Sequence, residues 1–533
     1  MYIQLVNSDA IGKAEAHTLE VMLDQLGYFY QWQPPDTLDA NVLTLSYHQQ
    51  FKELARSMVY IPRHSPLSQL RKTQKWQKCT YEGQTLPVMG FTTIKPPEET
   101  AAYCFDFDMV ANVYYHLFRI EEADFNHPDD VDEKVTESIL YHYGQFRRPV
   151  VDYLLRWLQQ ALEQTAEGHQ RFLLRKARYP GGQPFGATLT HDVDFIRAYH
   201  PLKKAFKKGK ARLRGDARKL QTIDQRDNDY WAFDRLLPFY ADQHITATFF
   251  FLARYTEGLH LRYRLQSKRM RRLLEKLNCH DHEIALHPSR YAFEHPRRYM
   301  REKNRLQQSA GTMIHGMRHH YLRGIFPGLW HTAQALQLNY DATLVYRRYS
   351  GFRAGAGFPY RTFDAAQQKS LAVYECPTLF FENTLPQSGH DAQAALQVID
   401  GLLTTVKSTG GLFNILWHTA SLYQPQPLAQ IWQAIMDRLL REEAFLAPLS
   451  RQVQWARQRR DIRIQTLSRD NARWHITLQC PPQLQNFTLQ CRRPGLSVAS
   501  ATEQVYTEET ARGTHIRCKG SLPQIQLTVV DHG

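Results

Sequence analysis

Cysteine pairs at metal-binding or redox spacing are missing from this sequence. The seven cysteines lie far apart, and none belongs to a Cys-x-x-Cys pair. An odd and scattered set argues against a disulfide framework and against a zinc site built from cysteines.

Long apolar segments are missing as well. No stretch approaches the roughly 20 apolar residues that cross a bilayer. The first segment, MYIQLVNSDAIGKAEAHTLE, has no basic region followed by an apolar one, which is the pattern of an export signal. Internal repeats and low-complexity tracts are also absent. We therefore expect a cytoplasmic protein.

Positive charge is the unusual bulk property of the chain, at a net +14 over 533 residues. Much of it lies in two stretches, Lys203 to Lys219 and Leu261 to Leu277. The second has apolar residues at helical spacing, which favours a solvated helix face. The alternative is contact with an anionic membrane surface or a lipid-linked precursor. We expect no nucleic-acid partner.

Changes in sequence pattern predict three domains. Residues 1–175 mix short apolar runs with helical segments such as Val150 to Gln164, which indicates an α+β domain of unknown role. Residues 176–460 form the central domain. Residues 461–533 alternate apolar and polar side chains between Pro and Gly, which predicts a small β-rich, sandwich-like domain.

The central domain alternates short β-rich runs with helical segments. The runs include FGATLTHDVD, ITATFFFLA, HEIALHPS, MIHGMRHH, NYDATLVY, VYECPTLFF and LFNILWHTA. Such alternation predicts an α/β fold with a buried parallel sheet. Six or seven units favour a complete or distorted (β/α) barrel, in which the active site lies at the carboxyl ends of the strands.

Two carboxylates end the first of these runs, at Asp192 and Asp194. Because they are two residues apart on a strand, their side chains point to one face. One could hold a cation while the other acts as a general base. The alternative is a strand-end Asx turn followed by a helix N-cap.

Histidines end three other runs. His287 precedes a proline, the next run ends in Arg318, His319 and His320, and His418 follows an apolar strand. Each alone could be a structural hydrogen-bonding residue or part of a basic loop. Aspartate and histidine at the same ends of several strands are the ligands of a catalytic zinc-type site, which activates water for amide hydrolysis.

The ordered motifs THDVD, EIALHPS, MRHHY, NYDATLVY…GFRAG and ILWHT resemble those of NodB-homology polysaccharide deacetylases. The likeness extends from about Phe185 to Arg460 and is closest to a divergent bacterial branch with an HDVD first motif. It implies a metal-dependent hydrolase that removes acetyl groups from N-acetylated sugars, in a polysaccharide or its precursor. The implied cofactor is a divalent ion, zinc in the first instance.

The resemblance also implies roles for individual residues. Asp192 is the general base and Asp194 a metal ligand, or the reverse. His287 is a metal ligand, Arg318 orients the base, and His418 protonates the departing amine.

Two positions depart from the family pattern. Val193 separates the two aspartates, which are adjacent in the usual motif, and Tyr291 stands where the second metal histidine is expected. We assign the third ligand to His320, with His319 or His295 as alternatives.

Four residues are expected to support or line the substrate cleft: Tyr291, Tyr321, Asp341 and Arg353. Phe352, Trp330 or Tyr321 could stack on a sugar ring, although a core position is the simpler explanation for each.

Two other functions stay open. One is a catalytically inactive glycan-binding relative, and the other a metal-dependent phosphohydrolase, suggested by the adjacent His191 and Asp192.

Overall fold

In the part of the chain that this computed structural model describes, the fold consists of one parallel and one mainly parallel β-sheet, two four-stranded antiparallel sheets and two short hairpins. The structure describes residues 2–7, 11–39, 42–52, 54–55, 57–72, 74–92, 102–127, 134, 138–197, 201–225, 230–254, 256–257, 260–261, 263–293, 295–389, 391–423, 427–470, 473–491, 496–500, 504–510 and 513–531.

The strands are β1 Ile3–Val6, β2 Tyr30–Gln33, β3 Leu43–His48, β4 Met58–Pro62, β5 Trp76–Tyr81, β6 Gln84–Met89, β7 Tyr103–Cys104, β8 Leu174–Lys176, β9 Phe185–Val193, β10 Thr248–Leu252, β11 Thr256–Glu257, β12 His260–Leu261, β13 Glu283–His287, β14 Gly316–Met317, β15 Tyr340–Asp341, β16 Tyr360–Asp364, β17 Lys369–Glu375, β18 Leu412–Leu416, β19 Ala444–Leu446, β20 Arg463–Asp470, β21 Arg473–Gln479, β22 Gln485–Cys491, β23 Leu496–Ser500, β24 Val505–Thr510, β25 Gly513–Ser521 and β26 Gln524–Asp531.

The α-helices are α1 Lys13–Leu26, α2 Met109–Leu117, α3 Ile139–His142, α4 Val150–Gly168, α5 Pro201–Leu213, α6 Ala217–Gln225, α7 Phe233–Asp242, α8 Lys268–Cys279, α9 Pro296–Ala310, α10 Gly328–Ala335, α11 Ala392–Thr409, α12 Thr419–Tyr423, α13 Leu428–Leu439 and α14 Leu449–Arg460.

The central sheet confirms the predicted α/β fold. Its strand order is β16-β17-β15-β14-β13-β10-β9-β18, and β19 also pairs with β9. All neighbours are parallel except β16 and β17, and the sheet curls strongly into a half-barrel. Strands β9, β10 and β13 are buried along their whole length, as expected for strands covered on both faces.

Strands β14 and β15 contain two residues each, so the predicted runs around them are mostly loop. A Cβ atom at Gly316 would lie 1.9 Å from the ring of Tyr340 on the neighbouring strand. Glycine therefore allows β14 to pack closely against β15.

The N-terminal region contains a five-stranded parallel sheet in the order β2-β1-β3-β4-β7, with the hairpin β5-β6 beside it. Helix α4 extends over Val150–Gly168, and its apolar face is buried. This region and the central sheet share one continuous apolar core.

Several hydrogen bonds fasten the N-terminal region to the loop before β16. The Val151 amide donates to the Gly355 carbonyl at 2.8 Å, and the Gly357 amide donates to Asp152 Oδ2 at 2.9 Å. The guanidinium of Arg353 makes a buried ion pair with Glu122 at 2.8 Å. The two regions are therefore joined by polar contacts as well as by the shared core.

The C-terminal residues form antiparallel sheets, β20-β21-β26-β23 and β24-β25-β22-β8. Their apolar faces enclose a separate small core. Strand β8, from the segment before the central sheet, completes the second of these sheets by pairing with β22. The domain boundaries at residues 175 and 460 stay a prediction.

The second basic stretch forms helix α8, whose apolar side is buried at Met270, Leu273, Leu274 and Leu277. The first stretch forms α5 and α6, where Phe206 and Leu213 are exposed. Among the residues that the structure describes, no helix combines the length and apolar character needed to cross a lipid bilayer.

Candidate metal centre

Polar side chains collect where four parallel strands of the central sheet end. Asp192 and Asp194 lie at the end of β9, and His287 is the last residue of β13. Residues 318–320 follow β14, and His418 lies two residues after β18. These are the carboxyl ends of the strands, where barrel enzymes place their reactive groups.

Asp194, His287 and His320 form a group of ligand atoms that all lie within 4.8 Å of one another. His287 Nε2 is 3.2 Å from Asp194 Oδ1, and His320 Nε2 is 3.4 Å from Asp194 Oδ2. Charge-assisted hydrogen bonds are normally shorter, at about 2.7–2.9 Å. The distances instead match the separation of about 3.3 Å between two ligands of one tetrahedral zinc ion with bonds of about 2.0–2.1 Å.

The ring of His287 is oriented for a metal. Its Nδ1 is 2.5 Å from the carbonyl oxygen of Arg318, to which it donates a hydrogen bond. Nε2 then carries the lone pair and faces Asp194 Oδ1 at 3.2 Å. A backbone carbonyl that fixes the tautomer in this way is typical of metal-binding histidines.

The charge of Asp194 suits a ligand. Burial by itself would raise the pKa of this carboxyl group, but the rings of His320 and His287 hold it well below its usual range. Asp194 is therefore ionised at neutral pH, as a metal ligand must be. The three residues fit a divalent cation in both donor type and orientation.

The alternative third ligands lie elsewhere. His319 is fully buried, its Nδ1 faces the His320 carbonyl at 2.8 Å, and it packs edge-on against Tyr299. Burial lowers the pKa of His319 to about 3. His295 is exposed at the start of α9. The structure therefore brings His320, and neither alternative, to Asp194 and His287.

Asp192 also lies close to His287 and is held by Arg318. Arg318 Nη1 donates to Asp192 Oδ1 at 3.0 Å and to Thr190 Oγ1 at 2.8 Å. Asp192 Oδ2 is 3.6 Å from His287 Nε2. The carboxylate is thus fixed beside the candidate metal position.

Arg318 is itself fully buried and fully engaged. Nε donates to the Ala342 carbonyl at 3.1 Å, and Nη2 donates to Thr378 Oγ1 at 3.0 Å. The guanidinium carbon lies 4.4 Å from the ring centre of Phe250, inside the half-barrel. Because the planar group is held on every side, Arg318 can position Asp192 rigidly.

His418 faces the same carboxylates and is oriented by Glu382. His418 Nδ1 is 2.7 Å from Glu382 Oε1, which also accepts a hydrogen bond from Ser421 Oγ at 2.7 Å. His418 Nε2 lies 3.7 Å from Asp194 Oδ2. Burial opposes the charged ring, but Glu382, Asp194 and Asp192 outweigh it and raise the pKa of His418 to about 10.

Sequence reasoning missed Glu382. It begins the 3-10 helix Glu382–Thr384 beyond β17 and is 36 residues from His418 in the chain. It comes directly after the predicted run VYECPTLFF, so the strand-end position that selected the aspartates and histidines was also a signal for Glu382, although no spacing connects it with His418.

The four residues predicted to support or line a cleft have different positions. Tyr321 is 44% exposed, and its ring lies against the His320 ring in a tilted arrangement with 4.1 Å between centroids. Tyr291 is half-buried in the 3-10 helix Arg290–Ala292. Asp341 is fully buried, accepts hydrogen bonds from Thr343, and has its pKa raised to about 6 by burial.

Arg353 is also buried and is paired with Glu122 of the N-terminal region. Asp341 and Arg353 therefore support the fold in this structure and present no surface to a ligand. Phe352 and Trp330 are fully buried too, so Tyr321 alone of the three proposed stacking residues offers an exposed ring.

His191 points away from the metal centre. Its Nδ1 is 2.9 Å from the Trp417 carbonyl and its Nε2 is 2.7 Å from the Tyr240 hydroxyl. Burial lowers its pKa to about 3, so the ring is neutral. Since neighbouring residues of a strand face opposite sides, His191 and Asp192 do not act as a pair of ligands.

Different parts of the chain are similar to different known proteins. A family model described as a family of unknown function (DUF7033) matches residues 5–167, outside the metal centre. No curated protein matches the chain.

Solved structures resemble about half of the chain. A Mycobacterium smegmatis protein assigned as a polysaccharide deacetylase is 16% identical, with a TM-score of 0.37, and the match covers 55% of this chain and 96% of that one. A Pseudomonas aeruginosa PAO1 protein with the same assignment is 12% identical, with a TM-score of 0.38 and coverages of 53% and 94%. The allantoinase PuuE is 12% identical, with a TM-score of 0.37 and coverages of 52% and 92%.

Proposed function

We propose that this protein is a metal-dependent hydrolase that removes acetyl groups from N-acetylated sugars of a polysaccharide or its precursor. The observation that carries the proposal is the arrangement of two groups around the candidate ligands. Asp192, held by Arg318, lies 3.6 Å from the candidate ligand His287, and His418, held by Glu382, lies 3.7 Å from the candidate ligand Asp194. A fixed carboxylate and a protonated histidine next to one metal position are the pair that amide hydrolysis requires.

Asp194, His287 and His320 would hold the metal. When bound, a divalent ion such as zinc supplies a Lewis acid, which polarises an amide carbonyl and lowers the pKa of water. Every other part of the reaction is assigned to side chains of this chain.

Asp192 is the general base in this proposal. Its carboxylate accepts a proton from the attacking water as the oxygen bonds to the amide carbon. Arg318 keeps the carboxylate in place through the 3.0 Å contact. Orientation of this kind is a large part of the catalytic effect of a base.

His418 is the general acid. Nε2 donates its proton to the amide nitrogen as the carbon–nitrogen bond breaks, which releases a sugar amine and acetate. Glu382 accepts from Nδ1 and thereby directs Nε2 towards Asp194 and the reacting groups. A cation on Asp194 would offset part of the negative charge that raises the pKa of His418, which brings the pKa closer to neutrality.

Acetate release from N-acetylglucosamine oligomers by the zinc-loaded protein tests the proposal. We expect Asp192→Asn to lower the rate by at least about 100-fold. Asp470→Asn, which removes a similar group from an exposed strand, should retain full activity. Absence of acetate release from a panel of N-acetylated sugars, with metal bound, would refute the proposal.

Metal content separates an enzyme from an inactive glycan-binding relative. We expect one divalent ion per chain by mass spectrometry, lost in His320→Ala and retained in His295→Ala. The second variant is the matched control, since His295 is exposed and outside the ligand group. Equal metal content in both variants contradicts the assignment of His320.

A further inference from the structure

A cavity of 690 Å³ lies at the opposite end of β9 from the metal centre. Gln183 and Pro184, which precede β9, contribute to its wall. The eight residue-to-residue steps from Pro184 to Asp192 span about 26 Å in an extended strand, so the two sites are separate. Other parts of the wall come from α4, the end of α11, β8 and the C-terminal strands.

Positive charge dominates the wall of this cavity. Two glutamates, Glu163 and Glu509, face a larger set of cations: Arg156, Arg175, Lys176, Arg178 and Lys407. Volumes of about 300–1,000 Å³ are typical of small-ligand sites. The cavity therefore has both the size and the charge to receive an anion.

Two of the cations cap a helix, and one of these, Arg156, also makes an ion pair with Glu82 at 2.9 Å. Arg156 Nη1 donates to the Ser408 carbonyl at 3.0 Å, and Arg178 Nη1 donates to the Thr409 and Gly410 carbonyls at 3.1 and 3.0 Å. These bonds cap the carboxyl end of α11. Backbone carbonyls are neutral acceptors, so helix capping alone does not balance the positive charge.

The carboxyl group nearest to Arg178 compensates its charge weakly. Asp152 Oδ1 is 3.8 Å from Arg178, and burial raises the pKa of Asp152 to about 7. Glu163 accepts hydrogen bonds from Tyr28 and Gln159.

Arg175 is a cation whose position neither helix capping nor an ion pair explains among the described residues. It lies on β8, half-buried, and lines the cavity. Its side chain makes no ion pair or hydrogen bond with the residues that the structure describes, whereas Lys407 is paired with Glu442 at 2.6 Å. A planar guanidinium whose donors are not used by described residues is suited to bind a carboxylate or phosphate.

The rest of the wall is rich in neutral hydrogen-bonding groups. They are Gln25, Gln159, Gln183, Gln490, Ser408, Thr409 and Thr510. Gln183 Oε1 is buried and accepts no hydrogen bond from the described part of the chain. Amides and hydroxyls that surround cations match a ligand with several hydroxyl groups and one negative charge.

We propose that this cavity binds an acidic sugar residue, through its carboxylate or phosphate on Arg175 and its hydroxyls on the surrounding amides. The site would engage a charged part of a glycan or of its precursor, remote from the reacting groups. The choice of a glycan as the ligand rests on the proposed function, whereas the size and charge of the cavity do not depend on the metal centre, because no residue belongs to both sites.

Calorimetric titration of the full-length protein tests the proposal with three probes. They are a hexasaccharide of alternating glucuronate and N-acetylglucosamine, glucose 1-phosphate, and neutral chitohexaose. Binding of the first alone assigns the anion as a carboxylate, and binding of glucose 1-phosphate assigns it as a phosphate. No binding of either charged probe, or equal binding of chitohexaose, overturns the proposal.

Variants locate the binding in this cavity. We expect Arg175→Gln to weaken binding of the charged probe about tenfold or more, while Arg175→Lys retains part of it. Arg473→Gln is the matched control, since it removes the same charge from an exposed position on β21. Unchanged affinity in Arg175→Gln, or the same loss in Arg473→Gln, overturns the proposal. Unchanged metal content in all three variants would show that the metal centre is intact.

Discussion

Removal of Arg318 should destabilise the protein mainly by leaving Asp192 without its partner. Arg318 is fully buried, Asp192 is 2% exposed, and their nearest atoms are 3.0 Å apart. At an effective dielectric constant of about 20, two unit charges at that distance attract by about 5.5 kcal/mol. Breaking a buried pair by removing one partner typically costs about 3–5 kcal/mol. We therefore expect Arg318→Met to lower the free energy of unfolding by about 3–5 kcal/mol.

A double-mutant cycle isolates this pair. Arg318→Met also removes the hydrogen bonds to Thr190, Thr378 and the Ala342 carbonyl, but it does so equally when Asp192 is already asparagine. These losses cancel in the cycle, and the coupling energy reports the pair alone. We expect a coupling of at least about 2 kcal/mol, so that Asp192→Asn recovers part of the stability lost in Arg318→Met.

Urea unfolding of the four proteins in the presence of a chelator measures the coupling free of metal binding. The slope of the unfolding free energy against urea must stay constant for the comparison to hold. Additivity within about 0.5 kcal/mol would refute the reasoning, because it would mean that Arg318 does not stabilise the carboxylate.

Three further changes have expected outcomes. Glu382→Gln removes the carboxylate that raises the pKa of His418 most, so the alkaline limb of the pH–rate profile should move to lower pH; an unmoved limb contradicts the role of Glu382. The folded-state pKa of His191 is about 3, below the unfolded value of about 6.5. The stability from its neutral ring is therefore present above pH 6.5 and is lost as the pH falls towards 3, by about 1.4 kcal/mol per pH unit. His191→Gln should reduce the pH dependence of the urea midpoint between pH 7 and 5. An equal pH dependence in the variant and in the unchanged protein would contradict this role of His191. Gly316→Ala places a methyl group 1.9 Å from the Tyr340 ring, so the thermal midpoint and the metal content should both fall; a protein with unchanged values would show that β14 can move aside.

The parts of the fold that depend on the local order of apolar and polar residues could be predicted from the sequence. Residues 185–193 are all buried, and the run FGATLTHDV predicted the correct strand and the position of Asp192 and Asp194 at its end. The third ligand, His320, could be proposed because it follows a short run that ends at the same edge of the sheet. The sequence alone could not distinguish His320 from His319, because the direction of each ring decides which of the two faces Asp194 and His287.

Contacts between distant segments could not be predicted. Glu382 reaches His418 through a loop whose path follows from the whole sheet, and no local spacing reveals it. Arg353 belongs to a motif near the site, yet its guanidinium pairs with Glu122, 231 residues earlier in the chain. Both side chains are set by tertiary packing, so their roles become visible only when the segments are placed together.

The hydrogen bonds between the N-terminal region and the loop before β16 affect how the protein folds during its synthesis. The partners Asp152 and Gly357 are 205 residues apart, so the N-terminal region leaves the ribosome long before the surface that covers it. At translation rates of about 5–20 residues per second, that interval is about 10–40 s. During this time its apolar side faces water or a chaperone, and a ribosome that stalls before residue 357 would release a chain prone to aggregation. The first 170 residues, synthesised alone, should therefore aggregate, even though they form a sheet of their own.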